Sequence, residues 1–365
     1  MFRNTFLTLA LCASPAFADP YVTCVEEQLT ALQAAPGPVD GRLDGQTRAA
    51  AQAVQRSAQG AKAGLALLRP LDRRSARYWC RDLAALSPQL RPLQPNYRAE
   101  IITTPSAELT RNIRAELNRF TDYLHQTHGI SLPGPMAVVA AGDGAALTTL
   151  VTQTARQLRL RYDVQQTALR RCRSTQSYTG IAYGNLTWIC WAQGRTLPGR
   201  GVSGRFVLAH EVTHIVQRDL EGRPNGAGAF GRPRRDVPAW LVEGHANWVA
   251  LDYLHSRGLL RLPSLDQLRR TAAQRPNGIS ILSDGLGMRT QDAYGISQVA
   301  VSVLIARAGT RAPFDYYRRM AAGRRPDAAF QESFGIARKE FEQAFPRLMS
   351  SKTALDRFVA SGALN

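Results

Sequence analysis

Lysine is nearly missing from this chain. Of 46 basic residues in 365, only Lys62, Lys339 and Lys352 are lysines and the others are arginines, set against 28 acidic residues for a formal net charge of +18. Such a chain is drawn to anionic surfaces such as phospholipid head groups, lipopolysaccharide or peptidoglycan carboxylates. No nucleic-acid-binding motif accompanies the arginines, and the export signal described below argues further against a nucleic-acid partner. Long apolar runs are missing too: no segment reaches the roughly 18 to 20 apolar residues that a membrane-spanning helix needs, so no transmembrane segment is expected. The chain has no C-x-x-C pair, which argues against a thiolate metal site, and no internal repeat or long low-complexity tract. What is present is 44% hydrophobic residues over this length, enough for one small domain and one larger domain with a core of its own.

The N-terminus carries Arg3, an apolar stretch from Phe6 to Cys12, and then Ala16-Phe17-Ala18 before Asp19-Pro20. That order of a basic residue, a short apolar run and small residues reads as a secretory signal peptide over 1–18, cleaved after Ala18, so a secreted, periplasmic protein is expected. Lipidation at Cys12 is disfavoured, because bulky Leu11 stands where a small residue is needed. Cleavage leaves Cys24, Cys80, Cys172 and Cys190, an even number suited to an oxidising compartment. Three pairings are open to four cysteines, and Cys24 with Cys80 and Cys172 with Cys190 would each staple a local unit. The Pro-rich run Ser87 to Pro95 reads as a linker between a domain over 19–90 and a second over 97–365.

Within the second domain stand His210-Glu211-Val212-Thr213-His214 and, after a gap of 28 residues, Glu243 in the run Trp240-Leu241-Val242-Glu243-Gly244-His245-Ala246-Asn247. On a helix of 3.6 residues per turn, H-E-x-x-H puts both imidazoles on one face, where they can reach one ion. Phe206, Val207, Val212, Ile215 and Val216 surround the motif at helical spacing, and the Gly-rich stretch 199–204 ends just before it. A catalytic zinc site takes three protein ligands and keeps a fourth position for water, so Glu243 is the natural third ligand beside His210 and His214. Glu211 then projects beside the ion, as a base for the water proton and later an acid toward the leaving amine. Asn247, one turn after Glu243, is the expected acceptor for the outer nitrogen of a ligating histidine. His245 faces elsewhere and reads as a hydrogen-bonded or rim histidine.

These two runs resemble the gluzincin metallopeptidases, the group of thermolysin and aminopeptidase N, and most closely their small peptidase MA-like members. The resemblance covers roughly residues 97 to 349. It implies an α+β fold in which a mixed sheet and an H-E-x-x-H helix precede a helical C-terminal part, with a thermolysin-like zinc site and peptide-bond hydrolysis. It also implies His210, His214 and Glu243 as zinc ligands and Glu211 as catalytic base. Strand-like 101–104, a helix over 107–127, a strand over 136–140 and a strand over 181–192 (IAYGNLTWICWA) fit the layout. In the family the last of these corresponds to an edge strand that pairs with the extended substrate. Tyr294, just before an apolar helix over 297–307, is the choice for a transition-state donor. The gap between His214 and Glu243 is longer than in aminopeptidase N, and the G-x-M-E-N signature is absent, so aminopeptidase specificity is not implied. Part of that gap, residues 222–238, is rich in Gly, Pro and Arg and reads as a loop, where Arg232, Arg234 and Arg235 are candidates to grip a substrate carboxylate or phosphate.

Between the first two cysteines, Gly37-Pro38-Val39-Asp40-Gly41, then Thr47-Arg48-Ala49-Ala50, then Gln55, resemble the three-helix type of peptidoglycan-binding domain. Leu43 and Asp44 replace its usual aromatic and glycine, and Val54 stands for its phenylalanine. The periodicity agrees with a helix over 25–32, a turn over 36–41 and a second helix from Thr47 to Gln55. The combined expectation is an exported zinc metallopeptidase at the cell envelope, acting on a peptide or protein substrate or on peptidoglycan. The rival is a non-catalytic cell-wall-binding protein whose zinc site is structural or vestigial.

Overall fold

The computed structural model describes residues 19–32, 34, 36–56, 65, 68–84, 101–130, 136–158, 160, 172, 179–191, 203–222, 236–274, 278–282 and 291–364. The signal peptide, the 87–95 linker and Arg232, Arg234 and Arg235 lie outside them. The protein is mixed α and β, mainly helical, in two compact units: Met1–Ala66 with Pro70–Leu90, and Leu67–Arg69 with Arg91–Asn365. No helix among the described residues is long and apolar enough to cross a membrane.

The first unit holds α1 (Pro20–Ala31), α2 (Gly45–Arg56) and α3 (Ala76–Ala84). Asp19 caps α1 by accepting from the Tyr21 and Val22 amides, and Pro20 occupies the first turn, where no N–H is needed. A disulfide joins Cys24 on α1 to Cys80 on α3, a helix that periodicity alone did not announce. Glu26, buried, accepts from the amides of Asp40 and Gly41 and so ties the D-G turn back onto α1.

The second unit opens with β1 (Ile101–Thr103), α4 (Ala107–His128), β2 (Ala137–Ala141), α5 (Gly144–Gln157), β3 (Thr179–Tyr183) and β4 (Leu186–Cys190). Ser106 caps the start of α4 and Gly129, at φ 63°, its end, the αL position where a side chain would be strained. The strand order is β1-β2-β4-β3, with β1, β2 and β4 parallel and β3 antiparallel at the edge. β2 and β4 are buried at every position, as parallel strands covered on both faces must be. Alternation sorts their side chains: Ala137, Val139, Ala141, Leu186 and Trp188 pack with Leu147 and Val151 of α5, whereas Val138, Ala140 and Ile189 join the main core. Cys172 bonds Cys190 on the α5 side.

One expected strand, 181–192, is instead a hairpin. Gly184 takes φ 59° and, with Asn185, turns the chain between Tyr183 and Leu186, so the apolar run supplies both β3 and β4.

Next come α6 (Ser203–Leu220) and α7 (Ala239–Ser256), then α8 (Leu265–Ala273), α9 (Gln291–Ala308), α10 (Ala312–Ala321), α11 (Pro326–Phe334), α12 (Arg338–Ser350) and α13 (Lys352–Ser361). Helix α7 is buried on nearly every side, which fits its apolar composition and places it at the centre of the unit. Its tightest contact is with α9: a Cβ added to Gly244 would fall 2.2 Å from the Ser297 carbonyl oxygen, so the two backbones touch where only glycine fits. Helix α9 starts at Gln291, six residues before the expected 297, which puts Tyr294 inside its first turn. Trp240, fully buried, donates its indole N–H to Glu342 of α12 and fixes the start of α7 against the C-terminal helices.

Candidate metal centre

Helix α6 places His210 and His214 one turn apart, and α7 brings Glu243 up to both. The two Nε2 atoms are 3.0 Å apart, and Glu243 Oε2 lies 3.2 Å from each. Among the described residues these three form the one group of His, Cys, Asp or Glu side chains that could hold a metal ion. The imidazoles are largely buried, and Glu243 is shielded as well. Burial pushes the Glu243 carboxyl up, but His214 and His210 beside it win and hold it well below the ordinary carboxylate range, so it is an anion.

Gln217 decides how His214 is oriented. Its Nε2 donates to the Val242 carbonyl at 2.9 Å and lies 3.2 Å from His245 Nδ1. A carbonyl can only accept, so the Gln217 amide is fixed with Oε1 turned to His214 Nδ1 at 2.8 Å. Nδ1 of His214 therefore carries the proton, and its Nε2 lone pair points into the group with His210 and Glu243. Two imidazole nitrogens and a carboxylate oxygen packed this closely can all offer lone pairs to one cation at their centre.

Gln217, not Asn247, supplies the acceptor expected for a ligating histidine. Asn247 donates its amide to the Tyr294 carbonyl at 3.2 Å instead, and His210 Nδ1 meets no hydrogen-bond partner among the described residues. The reason is position: Asn247 lies on the α7 face turned to α9. The signal that could have found Gln217 was its spacing, since residue i+3 from His214 shares that histidine's helix face.

Glu211 is buried beside the group and packs against the edge strand; a Cβ at Gly180 of β3 would meet Glu211 Cγ at 2.7 Å and Val207 Cγ1 at 2.9 Å. Tyr294 reaches the same region from α9, its ring 6.3 Å from that of His210. His245 is fully buried rather than at a rim, with its ring 4.6 Å from Phe314 and 5.9 Å from Tyr317. Burial, helped by His128 and His214, pushes its pKa down to about 3, so it is a neutral packing and hydrogen-bonding residue.

Arg218, which sequence reasoning passed over, follows Gln217 and turns toward the sheet. Its guanidinium donates to the carbonyls of Ala182 at 2.6 Å and Gly184 at 3.4 Å. Burial lowers its pKa from the ordinary arginine range, while Glu211 nearby opposes that shift. No family model, curated protein or solved structure matches this chain.

Proposed function

We propose that this protein is an exported, periplasmic, zinc-dependent metallopeptidase of the gluzincin type, with a thermolysin-like arrangement of its second unit. The observation that carries the reading is that His210, His214 and Glu243 converge from two helices while Glu211, a carboxylate outside that group, sits on the same helix between the two histidines. Ligands at 2.0 to 2.1 Å from one tetrahedral zinc ion stand roughly 3.3 Å apart, and the nitrogen and oxygen donors are of the type zinc prefers. The separations of 3.0 and 3.2 Å in this site agree with that spacing.

Zinc, when bound, polarises a water molecule and the scissile carbonyl. Glu211 takes the proton of that water and returns it to the leaving amine. Gln217 holds His214 in the ligating tautomer, and Gly180 leaves room for Glu211 against the sheet. Tyr294, whose ring lies 6.3 Å from that of His210, is the residue we assign to donate to the oxygen that gains charge in the transition state. The edge position of β3, beside Glu211, supports main-chain pairing with an extended peptide. Peptidoglycan stem peptides and envelope proteins are the two substrate classes that the charge and the first unit favour.

A Glu211→Gln variant tests the assignment. It should keep zinc and lose at least about 100-fold in turnover of whichever substrate the wild type cleaves, peptidoglycan or unfolded protein. Full activity in that variant would contradict the mechanism.

A further inference from the structure

Two buried histidines outside the metal group have their tautomers fixed by their neighbours. The amide nitrogen of Gln217 has no lone pair to offer, so at 3.2 Å from His245 Nδ1 it donates, and the proton of the neutral His245 ring sits on Nε2. On α4, Tyr123 has one hydroxyl proton and gives it to the Asp252 carboxylate at 2.5 Å, so toward His128 Nε2, at 2.9 Å, its oxygen accepts. Burial keeps His128 neutral, so its proton is also on Nε2 and its Nδ1 keeps a lone pair. Each ring then has one unmatched atom. His245 Nε2–H is a buried donor and His128 Nδ1 a buried acceptor, neither with a partner among the described residues.

The two unmatched atoms are complementary and belong to one patch of core. His245, Trp248 and Asp252 share a face of α7, with His245 and Asp252 about 10.5 Å apart along the axis. His128 packs on Trp248, which lies between them on the helix, at 5.9 Å between ring centroids, and its Nε2 is 3.9 Å from Asp252. Both imidazoles also lie against the ring of Phe314, His245 at 4.6 Å and His128 at 5.1 Å. After burial itself, His128 is the largest influence lowering the His245 pKa. No direct hydrogen bond joins the two rings. A water that accepts from one and donates to the other spans about 5.5 Å with two hydrogen bonds.

We propose that one buried water joins His245 Nε2 to His128 Nδ1 and completes a one-way chain of hydrogen bonds from His214 to Asp252, which makes Asp252 a positioning residue for the metal centre. This rests on the reading of His214 as a metal ligand. The direction of the bonds carries the inference: His214 donates to Gln217, Gln217 to His245, His128 to Tyr123 and Tyr123 to Asp252. The water donates in the same sense, from His245 toward His128. Every donor thus points away from the metal group and the chain ends on an anion. Each bond polarises the next, so the chain both orients His214 and strengthens its Nε2 as a ligand.

The test pairs nitrogen NMR of the zinc-loaded, histidine-labelled full chain with zinc affinities from chelator competition. His245 and His128 should both carry the ring proton on Nε2, and the His245 ring proton should show a cross-peak to a long-lived water. Asp252→Asn keeps the shape of the partly exposed acceptor and removes its charge, so it should weaken zinc binding roughly three- to tenfold. The same change in a Gln217→Leu protein should have no further effect, because the chain is already cut. Tyr123→Phe should act as Asp252→Asn does and serves if the asparagine variant does not fold. A His245 ring proton on Nδ1, no water beside it, or unchanged zinc affinity in Asp252→Asn would overturn the proposal. So would an equal loss from Asp252→Asn with and without Gln217. Wild-type protein that takes up no zinc while showing both tautomers and the shared water would count against the metal reading and not against the chain of hydrogen bonds.

Discussion

A single amide, that of Gln217, joins three features of the site: a metal-ligating candidate, the helix that carries Glu243, and the buried His245. Replacing it with leucine removes the acceptor that fixes His214 and the clamp on Val242. Gln217→Leu should therefore bind zinc about 10- to 100-fold more weakly, read by chelator competition with the fold checked by circular dichroism. His128 sets a second residue-level expectation. It is buried, it bonds Tyr123, and that tyrosine donates to Asp252. Burial depresses its pKa from 6.5 to about 4, with Arg311 adding and Asp252 opposing. The unfolded chain takes this proton first, so stability is full above pH 6.5 and declines as pH falls toward 4, by up to about 3 kcal/mol. Denaturant midpoints across that interval should fall for the wild type and flatten for His128→Gln. The ligand spacing was legible at this scale because one helical turn decides it. Asn247 was misjudged because its face depends on where α9 crosses, which local periodicity does not carry.

Helix α7 meets α9 at Gly244, next to Glu243 in sequence. A Gly244→Ala change improves helix propensity by about 1 kcal/mol, but it drives a methyl group into the Ser297 carbonyl, where overpacking costs about 3 kcal/mol. The clash wins, so the variant should melt lower, and because the displaced turn carries Glu243 its zinc affinity should fall as well. A Gly244→Ala protein with unchanged Tm and zinc affinity would contradict the packing account. In this unit apolar spacing announces the helix over 107–127, the two helices that carry the His and Glu residues, and the core of α9, whereas the shorter helices such as α5 and α8 carry weaker signals. The hairpin was missed because Ile181 to Ala192 is apolar almost throughout, and Gly184-Asn185 is a short turn signal inside a strong strand signal.

For the whole molecule, two disulfides fall one to each unit, Cys24–Cys80 and Cys172–Cys190, closing chain separations of 56 and 18 residues. Local pairing was the economical reading of four cysteines, and sequence alone left three pairings open. The longer loop restricts the unfolded chain more, so a Cys24→Ser, Cys80→Ser protein should lose roughly 4 kcal/mol of stability in the first unit, seen as faster limited proteolysis there. The formal charge of +18 and the first unit bear on the proposed location, whereas the proposed chemistry rests on four side chains of α6 and α7. Zinc analysis of the purified mature protein alongside His214→Ala tests that centre most directly. The account predicts about one zinc per chain in the wild type and loss of it in the variant, whereas folded, oxidised wild-type protein without zinc would contradict it.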